Sequence, residues 1–248
     1  MSYAEQSMRS LTIDRVDQRA TKYISDVYLR MTAALVAAAV IGYVSVDSGL
    51  LMWGLETLGR GFSLAIFGLQ LLTVIAFQAS IYKMKPATSR LLFAAYAAIT
   101  GLTLGMVGMI YTLDSIFTIG LASGAGFAAL VFFGKVTKRD LGPIGTFCIM
   151  GLTMLMVYSL GVWVVSYFAP SATLMATSIK IQGIFGCLLF AGLTAYEAQR
   201  LKKTAYSLAE TEVSDNVLES YVNAGALSMF MNFIGLFLSA LRLFGNRR

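Results

Sequence analysis

Histidine is absent from this 248-residue chain. That one gap removes imidazole acid–base chemistry, Ser-His-Asp triads, HExxH zinc sites and histidine pH switches. Cysteine is almost absent: Cys148 and Cys187 stand in separate apolar segments without CxxC spacing, so they read as packing residues rather than zinc or redox groups. Charge is scarce as well, at 13% of residues, about half the density of an ordinary soluble domain. Water is therefore not the main solvent. The three prolines, Pro86, Pro143 and Pro170, all fall in connectors, so no span is broken in the manner of many secondary transporters. There is no Walker A loop and no GxGxxG turn after a strand, which leaves a nucleotide site without a basis and predicts no cofactor.

What is present is apolar: 57% of the residues, gathered into stretches of roughly 18 to 25 residues, each enough to cross about 30 Å of hydrocarbon. The expected spans are Tyr28 to Val46, Gly61 to Tyr82, Leu91 to Tyr111, Ile116 to Gly134, Ile144 to Phe168, Thr177 to Gln199 and Val222 to Leu241. The fold class is an all-α membrane protein, a bundle of seven transmembrane helices occupying residues 24–248. Residues 1–23 form a polar segment with Arg9, Arg15, Arg19 and Lys22 and no signal-peptide pattern. Within it Ile13, Val16, Ala20, Tyr23 and Val27 recur at helical steps, which predicts a helix lying in the membrane interface.

The formal charge of +6 does not indicate nucleic acid, because the basic residues sit at span ends rather than on one face. Fourteen lysines and arginines fall on the side of the N-terminus and five on the other. The positive-inside rule then puts the N-terminus in the cytoplasm and, with seven spans, the C-terminus outside. The basic tail Arg242 to Arg248 fits that orientation poorly and would fit better if one span were re-entrant. Gly101, Gly105 and Gly108 in the third span, and Gly120, Gly124 and Gly126 in the fourth, are spaced for close helix contact.

Of the 13 acidic residues, Glu197 alone lies within a span. A carboxyl group there is costly enough to suggest function. Equally, Glu197 precedes Arg200 by three residues, as a solvated helix end with an ion pair would. Among the amides, Gln70 and Gln78 fall in the second span, Gln182 in the sixth, and Asn223 and Asn232 in the last. Asn232 stands near the middle of a strongly apolar helix, where an amide seeks another helix or a hydrated cavity.

Three runs carry a resemblance: Ala98-Ile99-Thr100-Gly101-Leu102-Thr103-Leu104 with Tyr111, the stretch Phe133 to Leu141, and Gly192-Leu193-Thr194-Ala195-Tyr196-Glu197-Ala198-Gln199-Arg200-Leu201-Lys202. In that order they resemble the Bax inhibitor-1 family, in its bacterial YccA-like branch with the transmembrane Bax inhibitor motif. Weaker similarity runs through Tyr28 to Met31 and Ala226 to Phe237. The resemblance implies a seven-helix fold with the last helix central, and a proton-sensitive calcium leak sensed by two aspartates. Those aspartates fall on Glu197 and Asn232, so this chain departs from the family at both. It also lacks the family's acid near Gln70 and its arginine near Ala79 or Ser80. The resemblance makes Glu197 and Asn232 the ion and proton site, with Glu197 a weak calcium ligand, and Gln70, Gln78, Tyr196 and Arg200 pore-lining or latch positions.

Two carboxylates held together resist ionising at once, which sets a shared-proton switch. Glu197 facing Asn232 loses that repulsion and offers calcium one charge instead of two. The expected function is an inner-membrane ion leak with a weakened sensor and with lipid, calcium or protons as partners. The alternative is a regulatory protein that modulates a membrane-bound AAA protease through residues 1–23. An intramembrane hydrolase would need a second carboxylate or an activated nucleophile, so no enzyme is expected.

Overall fold

The computed structural model describes residues 3–80, 86–169, 171–211 and 213–247, with side chains from Ile13 onward except at Arg60 and 78–80. The described chain is helical: α1 Tyr3–Asp47, α2 Leu50–Leu58, α3 Arg60–Ser80, α4 Pro86–Ile110, α5 Leu113–Val136, α6 Gly142–Phe168, α7 Ala172–Thr211 and α8 Asp215–Phe244. Helices are what a bilayer demands, because each satisfies its own backbone where no water can. Large side chains such as Phe117, Phe132, Phe147, Met154 and Leu188 point outward, an arrangement suited to lipid and not to water.

Among the described residues, α1 and α4 to α8 are each long and apolar enough to cross a membrane. The second expected span, Gly61 to Tyr82, falls on α3. Within the described side chains it reaches Phe77, and with Leu50–Leu58, at a bend of 111°, it passes as one pair, so among the described residues the count is six, or seven if that pair is one span. Gly49 and Gly59 bracket α2 with φ of 73° and 54°, left-handed values that favour glycine and stop the helix at each end.

Residues Met1–Met106 with Arg200–Phe230 form one compact unit, and Val107–Gln199 with Met231–Arg248 a second. In the first, α1 runs unbroken through the expected boundary between residues 23 and 24. The stripe assigned to a membrane interface is buried against protein from Ala20 onward, through Tyr23, Val27, Met31, Ala34 and Ala38. Gly225 meets Val27 and Leu201, and the Tyr23 hydroxyl donates to the Tyr221 carbonyl at 3.2 Å. Farther along, α1 crosses α4 at backbone contact: a Cβ on Gly42 would lie 2.9 Å from the Gly101 oxygen, and one on Gly101 2.8 Å from the Ala38 oxygen.

In the second unit α7 touches three helices. Gly134 of α5 abuts Ala195, and Gly145 and Gly151 of α6 take Tyr196 and Leu189, while Gly183 and Gly186 receive Leu243 and Ser239 of α8. The fourth-span glycines do not serve as expected: Gly124 and Gly126 face open space, and Gly120 has only Phe237 at 3.8 Å. The last helix, expected to be central, contributes to both units, and half of its apolar window is buried, the largest share of any candidate span among the described residues.

Candidate functional site

The register of α7 against α8 places the two expected site residues. Gly183 meets Leu243, Gly186 meets Ser239, and Gly235 meets Phe190, so the helices run antiparallel. Carried on, that register sets Asn232 level with Leu193, one turn from Glu197, or roughly 6 Å at 1.5 Å per residue. Asn232, Gly235, Ser239 and Leu243 share one stripe of α8, and Gly183, Gly186, Phe190 and Glu197 share one stripe of α7. These are the facing stripes. Cα–Cβ bonds tilt toward a helix's N-terminus, so on antiparallel helices the two side chains lean toward each other's level. The approach requires α7 to continue past Gln199, which it does, to Thr211.

Asn232 is 3% exposed, and its Nδ2 has no hydrogen-bond partner among the described residues. Glu197 is half-buried and engaged in an interaction of its own. The neighbouring residues of the Tyr196 to Gln199 run have structural tasks. The Tyr196 ring covers Gly145, and Ala198 lies against Gly134. Gln199 clamps the α5–α6 connector: its Oε1 accepts from the Leu141 N–H at 2.9 Å and its Nε2 donates to the Arg139 carbonyl at 2.7 Å. Sequence reading had not singled out Gln199. Glu197 continues the α7 line of Gly183, Gly186 and Phe190, the residues of that helix that meet α8.

The remaining expected positions fall elsewhere. Gln70 belongs to the first unit, where it donates to Thr100 at 3.0 Å and Tyr96 at 3.5 Å, bonding α3 to α4. It is a helix-to-helix tie. Arg200 is exposed at the start of the α7 extension, also in the first unit. Gln78 lies outside the described side chains. Among the described residues no three His, Cys, Asp or Glu side chains gather as a metal site, so a cation at Glu197 would have to complete its shell with carbonyls, amides and water.

A second polar constellation, in the first unit, was not anticipated. Arg30 donates through Nη1 to Asn223 Oδ1 and through Nη2 to Glu219 at 3.4 Å. Asn223 Nδ2 donates to Ser89 Oγ at 2.7 Å, and Asn223 and Ser89 are both 0% exposed. Arg90 grips the same carboxylate as a fork, Nε to Oε1 at 2.7 Å and Nη2 to Oε2 at 2.9 Å. The clasp ties α1, α4 and α8. One signal for it lay in the sequence, Arg30, a cation inside an expected span that needs a partner.

Six or seven helices among the described residues, each long and apolar enough to cross a membrane, define a multi-pass integral membrane protein. Residues 20–248 match the family described as "Inhibitor of apoptosis-promoting Bax1", and the chain belongs to this Bax inhibitor-1 family. It is similar to the inner membrane protein YbhL of Escherichia coli (strain K12), at 35% identity over 91% of this chain and 92% of that one. It is also similar to uncharacterized proteins of Caulobacter vibrioides, at 31% identity over 97% and 96% of the two chains, and of Borreliella burgdorferi, at 31% over 92% and 93%.

Proposed function

We propose that this protein is a passive, proton-responsive cation leak of the bacterial inner membrane, not an enzyme, with its N-terminus in the cytoplasm and Glu197 as the residue cations meet. The observation that carries this reading is the placement of Glu197 and Asn232 on facing stripes of α7 and α8, one turn apart. A lone carboxylate beside a buried amide attracts cations without holding them in a closed cage, which suits passage more than storage. Calcium is conducted more weakly than it would be through two acids. The orientation rests on the excess of lysine and arginine on the N-terminal side.

The test is calcium flux into proteoliposomes between pH 6 and pH 8, comparing the parent with Glu197→Gln. Flux should fall in the variant, and its pH dependence should flatten. Equal flux at every pH would remove Glu197 from the mechanism.

A second reading, regulation of a membrane-bound AAA protease, draws support from helix length. At 1.5 Å per residue the 45 residues of α1 extend about 67 Å, twice the hydrocarbon thickness. Burial, and with it the nearby Asp17 of α1, pushes up the hydroxyl pKa of Tyr206 in α7, so these two helices bring polar groups together there. Removing residues 1–23 should then abolish any effect on the protease while leaving flux unchanged; loss of flux alone would count against this role.

A further inference from the structure

We propose that Arg90, held in place by Glu219, is a docking point for the phosphate of an anionic phospholipid headgroup. The clasp brings two guanidinium groups, Arg30 and Arg90, to a single carboxylate, Glu219. Two positive charges on one negative leave an excess of one. The two cations are not equivalent: the Arg30 side chain is 32% exposed and is tied also to Asn223, whereas that of Arg90 is 61% exposed. Glu219 takes only the Nε and Nη2 edge of Arg90. A guanidinium has five N–H donors, so the Nη1 edge keeps its donors for another acceptor.

The neighbouring residues indicate which acceptor it is. Arg90 is followed by Leu91, 69% exposed, and by the exposed Ala94 on the same side of α4. Those residues begin the apolar surface of a candidate span whose helix starts only four residues earlier, at Pro86. Arg90 therefore sits where hydrocarbon gives way to headgroups, and the group above an exposed leucine at that depth is a lipid phosphate. The first turns of α4 add the positive end of a helix dipole. A planar guanidinium fork matches phosphate oxygens as it does carboxylate oxygens. Glu219 acts as the positioning residue: by gripping one edge it fixes the plane of the guanidinium and turns the other edge outward.

The test uses the full chain in detergent micelles, titrated with phosphatidylglycerol or phosphatidylcholine, with bound lipid counted by native mass spectrometry. The parent should retain phosphatidylglycerol about tenfold over phosphatidylcholine, the size of effect of one strong charged contact. Arg90→Gln should lose that preference, Arg90→Lys should keep part of it, and Glu219→Gln should weaken it. The triple variant Arg15→Gln, Arg19→Gln, Lys22→Gln should keep it. A preference unchanged in both Arg90 variants would overturn the site, as would one that vanishes only in the triple variant, which would assign it to diffuse basic charge. Displacement of the lipid by 10 mM inorganic phosphate, about the upper end of a weak ionic affinity, would refute a lipid-specific ligand. Should Arg90→Gln fail to fold, the partial retention expected of Arg90→Lys carries the test, and full retention there defeats it.

Discussion

Asn223→Leu removes the centre of the three-helix clasp while keeping the branched shape of the side chain, so its cost is that of lost polar contacts and of a somewhat larger group, not of a cavity. Two hydrogen bonds disappear. The bond from Arg30 to Asn223 Oδ1 involves a charge, worth about 1.5–3 kcal/mol, and that from Asn223 Nδ2 to Ser89 is neutral, about 0.5–1.5 kcal/mol. Interhelical hydrogen bonds measured in membranes average lower, about 0.6 kcal/mol, because the unfolded helices find other partners in the bilayer. Arg30 retains Glu219, and Ser89 retains the Pro86 carbonyl at 2.9 Å, which limits the loss further. The expected destabilisation is about 1.5–3 kcal/mol. It is measured by unfolding in mixed micelles with increasing sodium dodecyl sulfate. Ser89→Ala, which removes only the neutral bond, should cost about 0.5–1 kcal/mol. A double-mutant cycle of Arg30→Gln with Asn223→Leu should show coupling, since the two residues share a bond. If Asn223→Leu unfolds at the parental denaturant concentration, or the cycle is additive, the clasp contributes nothing to holding α8.

Gly134→Ala should destabilise by about 1–3 kcal/mol despite its better helix propensity, because the new methyl group runs into the Ala195 carbonyl. Gly124→Ala, with nothing within 4 Å, should be neutral or gain up to about 1 kcal/mol in the same unfolding assay. Gln199→Leu should free the α5–α6 connector, seen as faster amide hydrogen exchange at Leu141 and a loss of about 1–2 kcal/mol; unchanged exchange would deny the clamp. Asn232→Asp should restore a second acid one turn from Glu197, raise calcium flux and move the midpoint of its pH dependence upward, because like charges oppose simultaneous ionisation. A midpoint unmoved by the new acid would show that the two positions do not interact.

The membrane class and most span positions were legible because hydrocarbon imposes a length and a composition that a single sequence displays directly. The short helix α2 ahead of the second span was not: Leu50–Leu58 fell between expected spans, and the left-handed Gly59 that ends it is a local event that hydropathy does not register. Glycine spacing was similarly ambiguous: Gly101 and Gly105 sit at a helix crossing, whereas Gly124 and Gly126, of comparable pattern, touch nothing. Spacing states that close approach is permitted, and the partner decides whether it occurs. The clasp escaped notice because Arg30 and Asn223, though both polar residues within expected spans, carry no sign in the sequence that they are each other's partners. Arg30 and Asn223 are separated by 193 positions.

The two buried asparagines of α8 differ in how their polar atoms are met. Asn223 has its carbonyl on Arg30 and its amide nitrogen on Ser89, so burial costs it little, and it serves as an interhelical tie. Asn232 is nearly as deep, yet its nitrogen is unpartnered among the described residues. A buried unsatisfied donor costs about 1–3 kcal/mol. A residue selected only for packing would sooner be leucine, which fills similar space at no such cost. Structural glue, the ordinary reading of an amide in an apolar helix, describes Asn223, whereas Asn232 has no comparable interhelical bond from its nitrogen among the described residues. A donor left open on the stripe facing Glu197 suits a partner that comes and goes, such as a water or a hydrated ion, and that asymmetry is the support Asn232 lends to the proposed leak.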